Sequence, residues 1–320
     1  MQRVALTGGA GFIGSALAER LAGDAELVVV DNFSTGRRAF VEQLLERPGV
    51  RLVEGDVLDM ELLVEAFDGC DTVVHLAANA DVRYGLERPE HDLVQNAIST
   101  SRVLEAMRMT GVRRIAFAST GSVYGEPELF PTPEACPFPV QTSLYATSKL
   151  AAEGLIASYC HGLGFTGVVF RFVSVLGERY THGHLIDFYR ALRRDPNRLQ
   201  VLGNGRQAKS YLYVQDCVDG ILTGIATRRD PGFAVYNLGT DETLLVDESV
   251  ALVAAHLGVE PAVEYAGGRR GWPGDSPHIL LDCTRIRALG WQPRVPIREA
   301  VSRTLAWFDE NPDVIDEPAR

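Results

Sequence analysis

Tyr145 and Lys149 stand four residues apart in the stretch Y-A-T-S-K. On a helix that offset puts both side chains on one face. A free phenol, with a pKa near ~10, is too little ionised at neutral pH to take a proton. A neighbouring ammonium favours the phenolate and can make a general base of it. Such a pair also arises by chance on many helices, but lysine usage argues against chance. Of 31 basic residues only Lys149 and Lys209 are lysine, which leaves 31 − 2 = 29 arginines. Where charge alone serves, this chain uses Arg, so a retained Lys points to work suited to a compact ammonium. Upstream, A-S-T-G-S-V-Y-G (118–125) ends an apolar run with the hydroxyls of Ser119, Thr120 and Ser122.

A second constellation lies at the start of the chain. T-G-G-A-G-F-I-G places Gly8, Gly11 and Gly14 at G-x-x-G-x-x-G spacing, after an apolar run and before a helical pattern. Glycines permit a tight turn and a close approach of backbone to a pyrophosphate, which the helix N-terminus then attracts. Asp31 ends the next apolar run, where a carboxylate can accept from ribose hydroxyls and repel a 2′-phosphate. That favours NAD over NADP, while Arg37 and Arg38 keep NADP open. Asp56, in G-D-V-L-D, could reach an adenine amino group. H-L-A-A (75–78) supplies small side chains where backbone would line a cofactor channel.

The surrounding pattern positions these groups. Residues 3–8, 26–31, 50–56, 72–77, 114–119 and 167–172 read as strands, rich in Val and Ile and mostly without alternation, as in parallel strands buried on both faces. Helical patterns run over 12–22, 59–67, 91–111 and 146–162. This alternation predicts an α/β fold, a doubly wound parallel sheet with right-handed crossovers. Beyond residue 173 helical patterns at 184–195, 214–227, 247–257 and 296–309 are separated by Gly/Pro-rich loops such as 267–277. They predict a smaller α+β region over the C-terminal edge of the sheet, where open α/β sheets bind ligands. The expected division is 1–173, also receiving 212–240, and 174–320. The acidic tail N-P-D-V-I-D-E-P-A-R is expected to fray.

Taken together, T-G-G-A-G-F-I-G, Asp31, H-L-A-A, S-T-G-S-V-Y-G and Y-A-T-S-K resemble the extended short-chain dehydrogenase/reductase family, with a Rossmann-type sheet. More narrowly they are similar to its NAD-dependent nucleotide-sugar epimerases and dehydratases. G-N-G-R-Q-A-K-S-Y-L-Y-V-Q-D (203–216), R-R-G-W-P-G-D (269–275) and R-Y-T-H-G-H-L-I-D-F (179–188) look most like the archaeal-type UDP-glucose (UDP-galactose) 4-epimerases. The resemblance covers nearly the whole chain. It implies Tyr145 as base, Lys149 as its partner and Thr120 as the hydroxyl bonded to the reacting sugar oxygen. For the NAD site it implies Gly8, Gly11, Phe12, Ile13, Gly14, Asp31, Asn32, Asp56, Val57, Leu76, Ala77, Ala78, Asn96, Ser119, Tyr145, Lys149 and Phe172. For the nucleotide sugar it implies Arg83, Ser122, Ser174, Gln207, Lys209, Arg270 and Asp275, with Arg270 on the pyrophosphate and Asp275 bracing its loop. It also implies a homodimer through helices 91–111 and 146–162, with apolar stripes including Leu93, Ile98, Leu104, Leu150, Leu155 and Ile156.

The departures are informative. Ser174 stands where the family usually has Asn. Gly121 and Ser122 stand where the 4,6-dehydratases carry Asp-Glu, and the sugar-nucleotide decarboxylases carry Glu at the second of these positions. Neither carboxylate is present, and Gly121 should leave room for a keto-sugar to turn. The reading is therefore a 4-epimerase acting through a transient 4-keto sugar. The alternatives are a dehydratase or other keto-sugar-modifying enzyme of the same family, and a non-catalytic NAD sensor, which would need neither Tyr145 nor Lys149.

Composition excludes other classes. The chain has 320 residues, 46% hydrophobic, and a net charge of 31 − 42 = −11. An acidic surface argues against nucleic acid or anionic membrane as partner. No apolar run reaches the ~18 residues of a membrane span. The N-terminus reads as mature protein. Five scattered cysteines without C-x-x-C suggest thiols in a reducing cytoplasm. The seven histidines make no metal-ligand spacing, and His182 and His184 are expected to line or cap the substrate loop.

Overall fold

The computed structural model describes residues 1–79, 84–137, 140–227 and 230–316. Among these residues, seven strands form one sheet: β1 (Arg3–Thr7), β2 (Glu26–Asp31), β3 (Val50–Glu54), β4 (Thr72–His75), β5 (Arg114–Thr120), β6 (Thr166–Phe172) and β7 (Gly232–Leu238). The spatial order is β3-β2-β1-β4-β5-β6-β7, and every neighbouring pair is parallel. The winding reverses between β1 and β4, which opens a crevice at the C-terminal ends of those strands. The fold is thus the doubly wound α/β sheet expected from the pattern. β7 escapes the sequence reading because G-F-A-V-Y-N-L is an edge strand and only partly buried.

Both faces of the sheet are covered. Successive residues of a strand point to opposite faces, so Val4 and Leu6 join one core and Ala5 the other. One core packs the sheet against α1 (Phe12–Leu21) and, through Val218, Ile221 and Ile225, against a helix at Val214–Thr227. The other packs it against α2 (Met60–Phe67), α3 (Ser99–Thr110) and α4 (Leu144–Leu163) through Leu63, Val103, Met107 and Ile156. Each such side chain contributes about 1.5–3 kcal/mol on burial. Ser143 caps α4, its Oγ accepting from Ala146 N at 3.1 Å, and Gly164 ends it at φ 68°.

The C-terminal region adds helices at His184–Arg194, Val246–Leu257 and Ile297–Glu310 with three small sheets. The chain also returns to the main sheet, since helix Val214–Thr227 leads into β7 beside β6. The tail as far as Asp316 departs from its expectation, and 317–320 lie outside the described residues. Pro312–Asp316 is helical, Ile315 is fully buried, and Arg190 Nε donates to its carbonyl at 2.6 Å. One apolar residue and one carbonyl acceptor outweigh the acidic, Pro-containing composition.

Candidate active site

The glycine turn is closed by backbone contacts that no side chain could share. Gly8 has φ +72°, and a Cβ on it would lie 2.6 Å from Ala77 N; one on Gly14 would lie 2.0 Å from Gly8 O. The ends of β1 and β4 are thereby drawn together, beneath α1. Gly11 caps α1 without a side-chain hydrogen bond, and the first turn holds no acidic residue. Its N–H groups and dipole favour an anion there. At the end of β2 the buried Asp31 accepts from Ala10 N and Phe33 N, each at 2.9 Å. Burial pushes its carboxyl up, and the two N–H groups pull it back. Gly36 leaves space beside it, since a Cβ there would come within 2.7 Å of Asp31 Oδ1. Arg38 is committed elsewhere, paired with Glu54 and lying over the Phe33 ring. Asn32 Nδ2 donates to Asp56 Oδ2 at 2.9 Å, beyond Asp31.

Phe12, Val57 and Phe172 are buried, and Ile13, Leu76, Ala77 and Ala78 are half-buried at strand ends or the first helical turn. A cradle sealed against Cβ atoms, an uncapped helix N-terminus and a carboxylate with space beside it fit a dinucleotide with free ribose hydroxyls.

Three residues at the end of β5 meet α4. Thr120 bonds the Tyr145 hydroxyl, and Lys149 Nζ donates to Ala118 O at 2.9 Å and lies 4.7 Å from the Phe117 ring centroid. Thr120 Oγ1 donates to Ser122 Oγ at 3.1 Å. Burial pushes the Tyr145 phenol up to about 12, against the Thr120 hydrogen bond. Burial also pushes the Lys149 ammonium down to about 7, against the negative charges of Glu153 and Asp92. The structure thus differs from the simple expectation of an ammonium lowering a phenol: desolvation dominates both groups, and the lysine proton is directed at a carbonyl.

Two expected cofactor contacts take other roles. The Ser119 hydroxyl donates to Glu153, away from the groove, leaving only its backbone to face a cofactor. Asn96 is buried in a π-helical stretch, Leu93–Ile98. Its Oδ1 accepts from Asn79 N at 3.0 Å and its Nδ2 donates to Ser148 Oγ at 2.9 Å. It therefore braces the loop after β4 against the turn that carries Tyr145. His75 is buried between Thr7 and Thr100, at 2.7 and 3.1 Å, and burial pushes it down to about 3.

In the C-terminal region a cleft of about 630 Å³ is lined by Glu126, Arg270, Trp272 and Pro277 among others. Arg270 pairs across it with Glu126. Lys209 Nζ meets Asp275 Oδ1 and lies 4.7 Å from the Trp272 ring centroid. Asp275 Oδ2 accepts from Gly271 N at 2.9 Å, which closes the loop on itself. Gln207 is buried, and its Oε1 has no partner among the described residues. Ser174 is exposed where a short strand leaves the sheet. Arg83 lies outside the described residues.

Three expectations change. Gly121 is buried, and a Cβ there would meet Phe172 O and Leu281 at 3.2 and 3.3 Å; its smallness serves packing, not a turning sugar. His184 is half-buried, with Ser249 Oγ at 3.1 Å, which ties it to the C-terminal region. Of the apolar stripes, Leu104 and Ile156 are core residues, whereas Leu93 and Ile98 are exposed.

Sequence reasoning missed Glu153, Arg171, and Asn79 and Ser148 as the partners of Asn96. Glu153 had a signal, since it extends the 145/149 offset by four more residues. The others had none, because their partners are remote in sequence.

A model of the NAD dependent epimerase/dehydratase family matches residues 4–239. A UDP-glucose 4-epimerase of Streptomyces lividans is 34% identical over 343 residues, 98% of each chain. A crystal structure of a UDP-galactose 4-epimerase is 36% identical with TM-score 0.86, covering 97% of this chain and 99% of that one. A dTDP-glucose 4,6-dehydratase from Streptomyces venezuelae, solved with NAD bound, is 26% identical with TM-score 0.88 over 98% of both.

Proposed function

The chain belongs to the NAD-dependent epimerase/dehydratase family, and from that membership and the site's geometry we propose that it is an NAD-dependent 4-epimerase of a UDP-hexose, of the UDP-glucose/UDP-galactose type. The observation that carries the reading is the Thr120–Tyr145–Lys149 constellation at the end of β5, with no carboxyl at 121 or 122. Burial holds Tyr145 as a neutral phenol, pushed up to about 12; with NAD bound, the positive charges of Lys149 and the nicotinamide would offset that burial, and the phenolate takes the proton of the C4 hydroxyl, whose oxygen Thr120 hydrogen-bonds. The glycine cradle would hold NAD, which would supply the hydride acceptor for C4 and, once reduced, the donor to the opposite face of the 4-keto sugar, while Tyr145 gives its proton back to the C4 oxygen. Lys149 places a positive charge behind the forming phenolate and the ribose. The backbone of Gly8, Gly11 and Gly14, with the first turn of α1, holds the pyrophosphate, and Asp31 accepts from the adenosine ribose. Gln207 offers a buried acceptor to the nucleotide, while Lys209 and Arg270 supply positive charge to its diphosphate, held in place by Asp275.

Residues 1–173 with 212–240 would hold the cofactor and the remainder the sugar nucleotide. Exposed Leu93, Ile98 and Leu144 on adjacent helices support a homodimer. A reducing cytoplasm suits five cysteines that form no disulfide. Among the described residues no helix is long and apolar enough to cross a membrane.

The test is incubation with UDP-glucose and with UDP-galactose, followed by NMR of the sugar C4. The same equilibrium mixture should form from either side without added cofactor. Unchanged sugars in both directions, with NAD bound, would overturn the reading.

A further inference from the structure

Ala118, Ser119 and Thr120 each touch α4, at Lys149, Glu153 and Tyr145 respectively. The helix partners are spaced by four residues and share one face. Glu153 is the member that neither takes nor gives the substrate proton, although its charge favours the Lys149 ammonium. It is 4% exposed, and Arg171 is 7% exposed. Glu153 Oε1 accepts from Ser119 Oγ and from Arg171 Nε at 3.1 Å; its Oε2 accepts from Arg171 Nη2 at 2.7 Å. Arg171 is the register partner of Ser119 across β5 and β6. Its guanidinium lies 4.8 Å from the Tyr124 ring centroid, and Tyr124 Oη donates to Asn237 Oδ1 on β7 at 2.7 Å. One carboxylate therefore fastens α4 to the ends of β5 and β6, and through Tyr124 to β7, one turn below Lys149.

Stability alone is a poor reason for such a pair. Apolar residues of similar volume replace buried ion pairs at little or no cost. What they cannot reproduce is a bidentate fork with a third donor, which fixes direction as well as distance. A misplacement of ~1 Å at a reacting group can cost ~100-fold in rate. We propose that Glu153, held by Arg171 and Ser119, is a positioning residue for the reaction, setting the height and roll of α4 so that Tyr145 and Lys149 meet Thr120 and the substrate alcohol in register. This rests on the reading of Tyr145 and Lys149 as the proton-transfer pair.

The test uses the NAD-loaded protein and the double substitution Glu153→Leu/Arg171→Met, which removes both charges together. The expected result is a folded protein with wild-type NAD content, a melting temperature within about 5 °C of wild type, KM within about threefold, and kcat reduced by about 10–100-fold. Wild-type kcat in this variant overturns the proposal. Should the double variant fail to fold, Glu153→Gln and Ser119→Ala, which keep Arg171, are read by the same split. A fall in kcat at unchanged KM and NAD content supports positioning. A loss confined to melting temperature or NAD content overturns it. Tyr145→Phe is run alongside. If it stays active, the assignment of the base fails and takes this proposal with it. If it is inactive while the Glu153 variants behave as wild type, only the positioning role fails.

Discussion

Lys149 directs its ammonium at the carbonyl of Ala118, 2.9 Å away, from a side chain that is 3% exposed. Its charge is thus held by one neutral acceptor and the more distant carboxylates of Glu153 and Asp92, and burial wins, pushing it down to about 7. In the unfolded chain the same group titrates at 10.5. Between those values the unfolded state binds more protons, so stability rises with pH across the window. The cost of keeping Lys149 is therefore full below pH 7 and fades by about 10.5.

Lys149→Met should accordingly be inactive yet more stable in acid. Turnover should fall at least ~100-fold, as for loss of a general-base system. Urea denaturation at pH 6 should show a gain of about 1–3 kcal/mol over wild type, and the gain should shrink towards zero by pH 10. A constant gain across pH, or a loss at pH 6, would show that desolvation does not govern this lysine.

Glu126 and Arg270 make a pair across the cleft with both side chains 44% exposed. If Arg270 receives the substrate diphosphate, Glu126 competes for it. Exposed pairs are worth about 0.2–1 kcal/mol, so Glu126→Ala should lower KM by roughly 1.5–5-fold and leave kcat within twofold. Arg270→Ala should raise KM by about 10-fold or more. Steady-state kinetics on both variants checks the pair; a raised KM for Glu126→Ala would mean that the carboxylate itself holds substrate.

What could be read from the sequence follows a physical line. Val/Ile runs ending in Thr7, Asp31 or Thr120 announce buried parallel strands because every position there faces a core. Y-x-x-x-K is visible because helical neighbours are fixed in spacing. Gly121 misleads because a small residue does not say whether Leu281 or open space faces it. The Glu153–Arg171 pair is hidden because Arg171 sits in the apolar run of β6, where a charge has no local partner. β7 is hidden because its exposed edge breaks the apolar signal.

The assembly can be tested on its surface. Leu93, Ile98 and Leu144 are 52%, 43% and 43% exposed, and a Cβ at Gly154 on α4 would meet nothing within 4 Å. Within one subunit Gly154→Trp has room. In a dimer packed through α4 it does not. Light scattering of the wild type should give twice the 35.0 kDa chain mass. Gly154→Trp combined with Ile98→Asp should give the single mass, with the circular dichroism of the wild type. A wild type that scatters as a monomer at micromolar concentration sinks the dimer.

The distinction between epimerisation and dehydration rests on which acids are present. Both reactions begin with the same oxidation at C4, so Thr120, Tyr145 and Lys149 do not separate them. Dehydration further needs a base for the C5 proton and an acid for the departing C6 hydroxyl, work that carboxyls of adjusted pKa perform. Gly121 carries no side chain and is packed against Leu281. Ser122 holds a hydroxyl already engaged with Thr120. Glu126, the nearest carboxylate in sequence beyond them, is tied to Arg270. The site therefore inverts C4 and leaves C5 alone. With a C4-deuterated UDP-hexose as substrate in D₂O, the product should keep its C4 deuterium, because the hydride never exchanges with solvent, and should gain none at C5. Glu126→Gln should not change that outcome. Deuterium at C5, or a stable product lighter by one water, would assign the chain to dehydration, and loss of that activity in Glu126→Gln would identify the carboxyl responsible.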